Sequence, residues 1–589
     1  MYLVLLETSG NQAYLFATNR LRENVGASEL TYRASTQFVL KAVQEQKGPQ
    51  NLWSDDPKKL RANISQIKTN PLITEIEVIV ATSGKALLLV KDREVAEHIV
   101  SSVTKQALKE APGLDICGVI SEPFDWKKDS IHEQIKNVHQ QFEQVRSTRP
   151  HPRARFPSSP ITALCQSSGL PAGQLDNDGV AVSAVSQVKL KAANHWRDRI
   201  GHILKGSGYD VVKTIPELEK DFGTLNWFAV VHADGNGLGK IFLNFDRYID
   251  YQGPEQNSHY VNQYRSFSLA LEQVTENAFC YALNVLAKLK GGHSKNKTLP
   301  IVPLVLGGDD LTVICDGEYA LEFTRIFLKA FEQFTEKSDS YNGIMPKIAE
   351  KAFHARRLSA CAGIAITKAH FPFHNSYRLA EELMTSAKTV KKQFYIDTPQ
   401  KERVPYPCSA MDFHLVYDAS FSHLSEIRRH LKVDQNLGEG NQTQLIAKPY
   451  VVTADANLRH ALNFNDKAGN GRVVGFNWVY QHRIIGLFAR IQALLKKDEE
   501  GRRQLPNNQV HSLRDGLFLG RDVANGRFKL MRERYHTFNN FVEKADDQIK
   551  VEGLFRYIKP ERKEEGYWET RFLDALEVAE LWKEYYREE

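Results

Sequence analysis

Cysteine is scarce in this chain and scattered. Its six residues, Cys117, Cys165, Cys280, Cys315, Cys361 and Cys408, form no CxxC pair, so zinc-ribbon spacing is absent. Most read as small buried apolar side chains of a reducing, cytoplasmic compartment. No apolar run is long enough to span a bilayer, so no membrane is expected among the partners. Charge of one sign is lacking too: 77 Lys+Arg against 71 Asp+Glu leave a net +6, which permits nucleotides or RNA as partners without demanding them. The segment Met1-Tyr-Leu-Val-Leu-Leu-Glu7 has no basic leader and meets a carboxylate at its seventh position, so it reads as a buried strand and not as a signal peptide. What remains is ordinary globular material, 42% hydrophobic, 25% charged and 10% aromatic, which excludes a fibre or a disordered chain. At 589 residues it is too long for one core and implies three or four folding units.

The same order of elements is legible twice. Hydrophobic patterning predicts a strand at 2–8, a helix at 26–46, strands at 73–82 and 86–90, a helix at 92–110, a strand at 115–121 and a helix at 131–148. It then predicts a strand at 226–233, a helix at 258–290, strands at 300–306 and 311–315, a helix at 318–335, a strand at 359–366 and a helix at 375–392. Both halves read βαββαβ with a trailing helix, the ferredoxin-like or palm order in which two βαβ halves build one antiparallel sheet. Nearly the same separation divides Glu7 from Gly84 and Asp234 from Asp309, as expected of a duplicated unit. Prolines and arginines in 146–155, then a Gly/Ser-rich stretch to Gly179, mark a boundary. Beyond Thr453, Val479, Ile484, Leu487, Phe488, Ile491 and Leu495 recur at helical spacing. The expected class is therefore α+β: a first palm at 1–150, a linker and insert at 151–222, a second palm at 223–455 and a helical C-terminal domain at 456–589.

The second palm delivers carboxylates from two strand ends. Trp227-Phe-Ala-Val-Val-His-Ala-Asp234 is a buried strand ending in an acid, followed by Gly235-Asn236-Gly237-Leu-Gly239-Lys240. Ile301 to Ile314 reads as strand, tight turn and strand, with Gly307-Gly308-Asp309-Asp310 at the turn. In the palm order these ends are neighbours, so Asp234, Asp309 and Asp310 should converge. Clustered carboxylates repel unless cations neutralise them, and all-oxygen sites suit Mg²⁺ or Mn²⁺. Two such ions about 4 Å apart can activate a ribose hydroxyl, bridge an attacked phosphate and stabilise leaving pyrophosphate. Gly307 and Gly308 let a triphosphate approach the backbone, and Gly235, Gly237 and Gly239 can serve in the same way. The GNGLGK run is not a P-loop, because Asp234 stands where its first glycine belongs and Ile241 follows the lysine. Lys388, on the helix after the strand Ser359–Ile366, is placed to hold a triphosphate.

Asp234-Gly-Asn-Gly-Leu-Gly239, Gly307-Gly-Asp-Asp310 and Ala360-Cys-Ala-Gly-Ile-Ala365, with His-Phe-Pro-Phe and Ala387-Lys388 downstream, resemble the second palm of the large polymerase/cyclase subunit of type III CRISPR effector complexes. Glu7-Thr-Ser-Gly-Asn-Gln12 and Gly26-Ala-Ser28 are similar to that family's first palm. The resemblance implies oligonucleotide synthesis from ATP on two metal ions. It implies Asp234, Asp309 and Asp310 as catalytic metal ligands and Lys388 as a phosphate contact; Gly235, Asn236, Gly237, Gly307 and Gly308 complete the expected nucleotide-binding set. Its implied partners are further effector subunits with guide and target RNA, the RNA acting as activator. Three departures qualify it. There is no His-Asp dipeptide, so the HD nuclease of many members is missing. The zinc ribbon between the palms is degenerate, with Cys165 unaccompanied. The first palm has Ala81-Thr-Ser-Gly-Lys85 where the second has its acidic hairpin, so it offers Lys85 to an acceptor nucleotide in place of metals.

The main expectation is a metal-dependent nucleotidyltransferase making a cyclic or short oligoadenylate as an antiviral messenger. The same chemistry would also allow transfer of AMP to a different adenosine-containing metabolite. A diguanylate cyclase is disfavoured, since Leu311 follows the second acid. A non-catalytic scaffold gripping RNA and protein is the alternative from another class.

Overall fold

In the run Leu3-Val4-Leu5-Leu6 every side chain is fully buried, where a sheet with one wet face would alternate. This run forms the central part of strand Tyr2–Ser9, which pairs antiparallel with both Lys85–Val90 and Asp115–Ile120. Ile76–Thr82 completes a four-stranded sheet in the order 76–82, 85–90, 2–9, 115–120. The second sheet repeats that order with 301–307, 310–316, 228–235 and 360–367, then adds 410–415 and 450–451 beyond the last strand. The duplicated order and the α+β class are thus features of the molecule. These statements rest on a computed structural model that describes residues 1–582 except 68, 70–73, 177, 206–224, 250–255, 290–300, 369–370, 400–401, 418–422, 435–441, 465–470, 544–552 and 560–565.

Two details differ from the sequence reading. The helix expected at 26–46 is two, Leu21–Ser35 and Gln37–Glu45, broken at Thr36. The region after 455 is helical in its main elements, Ile484–Leu495, Asn507–Phe518 and Arg521–Arg534. It also lends strand Tyr567–Glu569 to Gln442–Gln444 and strand Arg472–Val474 to Tyr395–Asp397.

Buried ion pairs tie one palm to the other. The 34-residue helix Gln256–Leu289 sends Arg265 to Glu77 at 2.6 Å and to the Val78 carbonyl at 2.9 Å. It receives Arg61 in a two-pronged bond to Glu276 at 2.7 and 2.5 Å. The helix Ala184–Leu204 of the insert packs on Leu21–Ser35 so closely that a Cβ on Gly26 would lie 1.8 Å from the Lys189 carbonyl oxygen. Its Trp196 indole donates to the Pro303 carbonyl at 3.1 Å, and Ser28 bonds the neighbouring Leu304 carbonyl. In the boundary segment, Arg149 donates to the Ile116 carbonyl and Arg155 to the Leu114 carbonyl, and both lie beside Asp115. Those two cations are committed to the end of strand 115–120.

Candidate active site

Asp234 stands one residue from the end of the central strand Phe228–Gly235, opposite Cys361. On its other side Ala233 faces Leu311, which brings the 307–310 turn alongside. Gly307 pairs with Asp310 across a two-residue loop of Gly308 and Asp309, with Gly308 at φ 61°, a conformation glycine adopts without strain. The loop is braced from below, because the Thr275 hydroxyl donates to the Gly308 carbonyl at 2.7 Å. The result is the convergence expected: carboxylate oxygens of Asp234, Asp309 and Asp310 lie within 4.8 Å of one another. Among the described residues this is the only cluster of three or more acidic, histidine or cysteine ligands.

Gly235 makes this approach possible. A Cβ there would stand 2.2 Å from the Leu238 side chain and 2.9 Å from an Asp309 carboxylate oxygen. Gly235→Ala is therefore expected to push Asp309 out of register and lower turnover about a hundredfold, while thermal melting moves little. Single-turnover kinetics beside a melting curve would show it, and an unimpaired rate would mean that Asp309 need not sit where it does.

The electrostatics are those of an acidic site that is only partly compensated. Burial raises Asp309 above the ordinary carboxyl range, against the hydrogen bonds it accepts from its own backbone and from Gly235. Burial raises Asp310 as well, and the neighbouring Asp309 charge adds to it. Lys388 pairs with Asp234. Burial, then Lys391, draws its amine down to about 8. Beneath it His232 bonds Thr312 at 3.0 Å, and burial followed by Lys388 holds its imidazole at about 4, hence neutral. Lys388→Met removes the cation that occupies Asp234. It is expected to tighten Mn²⁺ binding in calorimetry while cutting product formation roughly tenfold to a hundredfold, the worth of one or two charge-assisted bonds. Weaker metal binding would contradict the arrangement.

Asp309 and Asp310 line a cleft of about 520 Å³ that the first palm completes with Ser83, Lys85, Lys136 and His139. Here the sequence reading needs refinement. Lys85 is not in the turn but is the first residue of its strand, opposite Thr82 and Glu7. By register it holds the place that Asp310 holds in the second palm. Its Nζ lies 2.5 Å from His139 Nε2, and His139 Nδ1 lies 2.7 Å from the Ile135 carbonyl. The carbonyl fixes the proton on Nδ1 and leaves Nε2 to accept from the ammonium. Burial, with Lys85 adding, depresses His139 to about 4, and burial lowers Lys85 against the pull of Glu7.

Asn236 does not present its amide nitrogen to the cleft. That nitrogen donates to the Ser359 hydroxyl at 3.0 Å, with Cys361 and the Cys408 carbonyl nearby, while the backbone N–H bonds the Ser359 carbonyl. The side chain anchors the loop. Gly237 starts the short helix Leu238–Leu243 at φ 77° and abuts Phe353, and Gly307 abuts Ser83 of the first palm. His370 of the His-Phe-Pro-Phe run lies outside the described residues.

Other residues around the site escaped the sequence. Tyr377 stacks on Phe16 with ring centroids 4.4 Å apart and lies 5.2 Å from His232. Gln12 donates to Glu381 at 2.9 Å, and Asn19 accepts from the Phe373 amide at 3.1 Å. A segment of the first palm thereby clamps the helix that ends at Lys388. Nothing in a single sequence marks such pairs, whose members are more than 350 positions apart.

Comparisons with known proteins bear first on the second palm. Residues 227–395 match the second palm domain of Cas10/Cmr2, a stretch that contains all three acids and Lys388. That stretch is thus a second palm domain of the Cas10/Cmr2 kind. Among solved structures, similarity extends to a Csm1–Csm4 cassette in complex with cA4 at 12% identity, covering 69% of this chain and 56% of that one with a TM-score of 0.39. It extends also to a type III-B Cmr-β complex in its apo state, at 11% identity, 91% and 77% coverage and TM-score 0.43. Csm1 of T. onnurineus matches at 13% identity, 80% and 61% coverage and TM-score 0.38. The chain thus spans little more than half the length of the chain it matches in the cassette. No curated protein matches it. Among the described residues no helix is long and apolar enough to cross a membrane.

Proposed function

We propose that this chain is a metal-dependent nucleotidyltransferase that joins AMP units from ATP into a cyclic or short oligoadenylate messenger. On this reading it works in a type III CRISPR-like antiviral effector complex, with other subunits, guide RNA and an activating target RNA as partners. The observation that carries the proposal is the convergence of Asp234, Asp309 and Asp310 within 4.8 Å in a palm of the Cas10/Cmr2 type, with Asp309 and Asp310 on a cleft that both palms line. The division of labour follows the sequence: first palm 1–150, insert 151–222, catalytic palm 223–455 and C-terminal domain 456–589.

The donor set fits Mg²⁺ or Mn²⁺, since it is all carboxylate oxygen and carries charge that burial leaves unsatisfied. Such ions, when bound, supply an activated hydroxyl and charge neutralisation on the attacked phosphate and the leaving pyrophosphate. Asp234, Asp309 and Asp310 would hold them. Gly307 and Gly308, with no side chain at the turn, leave the backbone open to the triphosphate. Lys388, released from Asp234, takes a phosphate oxygen as its new partner. Gly235 and Gly237 keep the facing loop close, and Asn236 fixes that loop to Ser359. In the first palm Lys85, oriented by His139, binds an anionic group of the acceptor where the second palm would bind a metal.

The Lys85 environment favours one second reading, in which the acceptor is a different adenosine-containing metabolite bearing its own anion. Incubation of the full chain with each labelled NTP and Mn²⁺, with and without RNA, decides between the readings. ATP alone or with RNA is expected to give 3′,5′-linked oligoadenylate, and Lys85→Ala is expected to raise the ATP concentration needed for half-maximal rate. Product formed only after addition of a metabolite extract would establish the conjugating reading. No product under any of these conditions would leave a scaffold that grips RNA and protein.

A further inference from the structure

The insert between the palms contains a second constellation, unconnected with nucleotide chemistry. Cys165 and Ser168 stand three apart, as do Ser183 and Ser186, and the two pairs flank a small antiparallel hairpin of Ala172–Leu175 and Ala181–Ser183. This is the C-x2-C…C-x2-C geometry of a structural zinc knuckle, with one thiol kept and three hydroxyls in place of the others. The side chains converge as ligands would. Cys165 Sγ lies 3.6 Å from Ser186 Oγ, Ser168 Oγ 3.0 Å from Ser183 Oγ, and Ser183 Oγ 3.2 Å from Ser186 Oγ. Four thiolates around one zinc at 2.3 Å would stand about 3.8 Å apart, and these three separations are each shorter than that.

The interior of the cluster is closed by hydrogen bonds. Ser167 Oγ lies 3.3 Å from Cys165 Sγ and 3.2 Å from Ser186 Oγ. Ser183 caps the helix Ala184–Leu204 by accepting from the Ser186 amide at 3.1 Å. Ser186 Oγ donates at 3.0 Å to Glu23 of the first palm, a fully buried carboxylate. Cys165, Ser183 and Ser186 are buried as well. One sulfur with three neutral hydroxyls is not a structural zinc donor set, since such sites take four ligands drawn from thiolate, imidazole and carboxylate. Burial pushes the Cys165 thiol up, and the Ser167 and Ser168 hydroxyls with the Ser168 and Ser183 amides outweigh it, drawing it down to about 5. The surroundings are thus donors aimed inward at sulfur.

We infer that this hairpin is a metal-free knuckle, in which a hydroxyl network ending on Glu23 does what zinc does elsewhere: it closes the hairpin and fastens it, with helix 184–204, to the first palm. The consequence is a chain with one metal-dependent site and one that has given metal up. Chelators should therefore silence chemistry without loosening the insert.

The test uses the full chain carrying Asp309→Ala and Asp310→Ala, so that the acidic cluster takes no zinc. In that background zinc content after dialysis should be near zero, unchanged by Cys165→Ser, and melting should not shift with chelator. Adding Ser168→Cys, Ser183→Cys and Ser186→Cys should restore the donor set. That variant is expected to bind one further zinc, to show thiolate-to-cobalt charge transfer with Co²⁺, and to melt at a chelator-sensitive temperature. Folding of the tetracysteine variant only in the presence of zinc would support the inference equally, because structural zinc sites couple binding to folding. Equimolar zinc in the parent chain that is lost on Cys165→Ser would overturn it. So would a folded tetracysteine variant that takes up no more metal than its parent.

Discussion

Replacement of Asp309 and Asp310 together by alanine is expected to abolish product formation, a loss of at least about three orders of magnitude, with the fold retained. A metal site supplies several kcal/mol of transition-state charge stabilisation, and each 1.36 kcal/mol is about tenfold in rate. The turn itself should survive, because its geometry depends on Gly308 and on the Thr275 brace and not on the acids. Apo stability should rise. Both carboxyls are raised in the folded chain, first by burial and for Asp310 also by Asp309. Ionised, they oppose folding above their folded values, and that cost fades as the pH falls and they take up protons. The double variant should therefore melt higher than wild type in chelator at neutral pH, with the gap closing toward acid. Equal turnover by variant and wild type would remove the acidic cluster from catalysis.

Arg61→Met carries the largest expected effect on stability. Arg61 meets Glu276 with both prongs and lies 3.7 Å from Glu272, and none of the three side chains is more than 8% exposed. Burial already raises Glu272 against the lowering pull of Arg61. Without the guanidinium, two buried carboxylates lose their direct partner and keep only the pull of Arg199, which is already paired with Glu29, a loss of about 3–5 kcal/mol. Denaturant titration should show it as a lower midpoint, and adding Glu276→Gln should recover part. Because the same helix carries Thr275 beneath the Gly308 turn, turnover should fall with stability. A midpoint change worth under about 1 kcal/mol would mean the pair does not hold the palms together.

The acidic cluster was legible because its determinants are local: a buried strand that ends in an acid, a glycine turn bearing two more, and an element order that makes them neighbours. The duplicated order was legible for the same reason, as its strands are apolar on both faces and its helices are long. What the sequence concealed depends on partners far away in the chain. Lys85 reads as a turn residue until Glu7 and His139 fix its register and its neighbour. Asn236 reads as a nucleotide contact in its glycine-rich loop, yet Ser359 and Cys408 claim its amide. Arg149 and Arg155 read only as part of a boundary segment, and the carbonyls of Ile116 and Leu114 take them. The three-residue strands at 472–474 and 567–569 are too short to show an alternating pattern against the helices around them.

The measurement closest to the central claim is the stoichiometry of Mn²⁺ bound with a non-hydrolysable ATP analogue, read by paramagnetic resonance on the full chain. Two ions per chain are expected for wild type, and none of comparable affinity for the Asp309→Ala, Asp310→Ala variant. Equal Mn²⁺ uptake by the two proteins would contradict the account, because the metals would then lie somewhere other than at Asp234, Asp309 and Asp310.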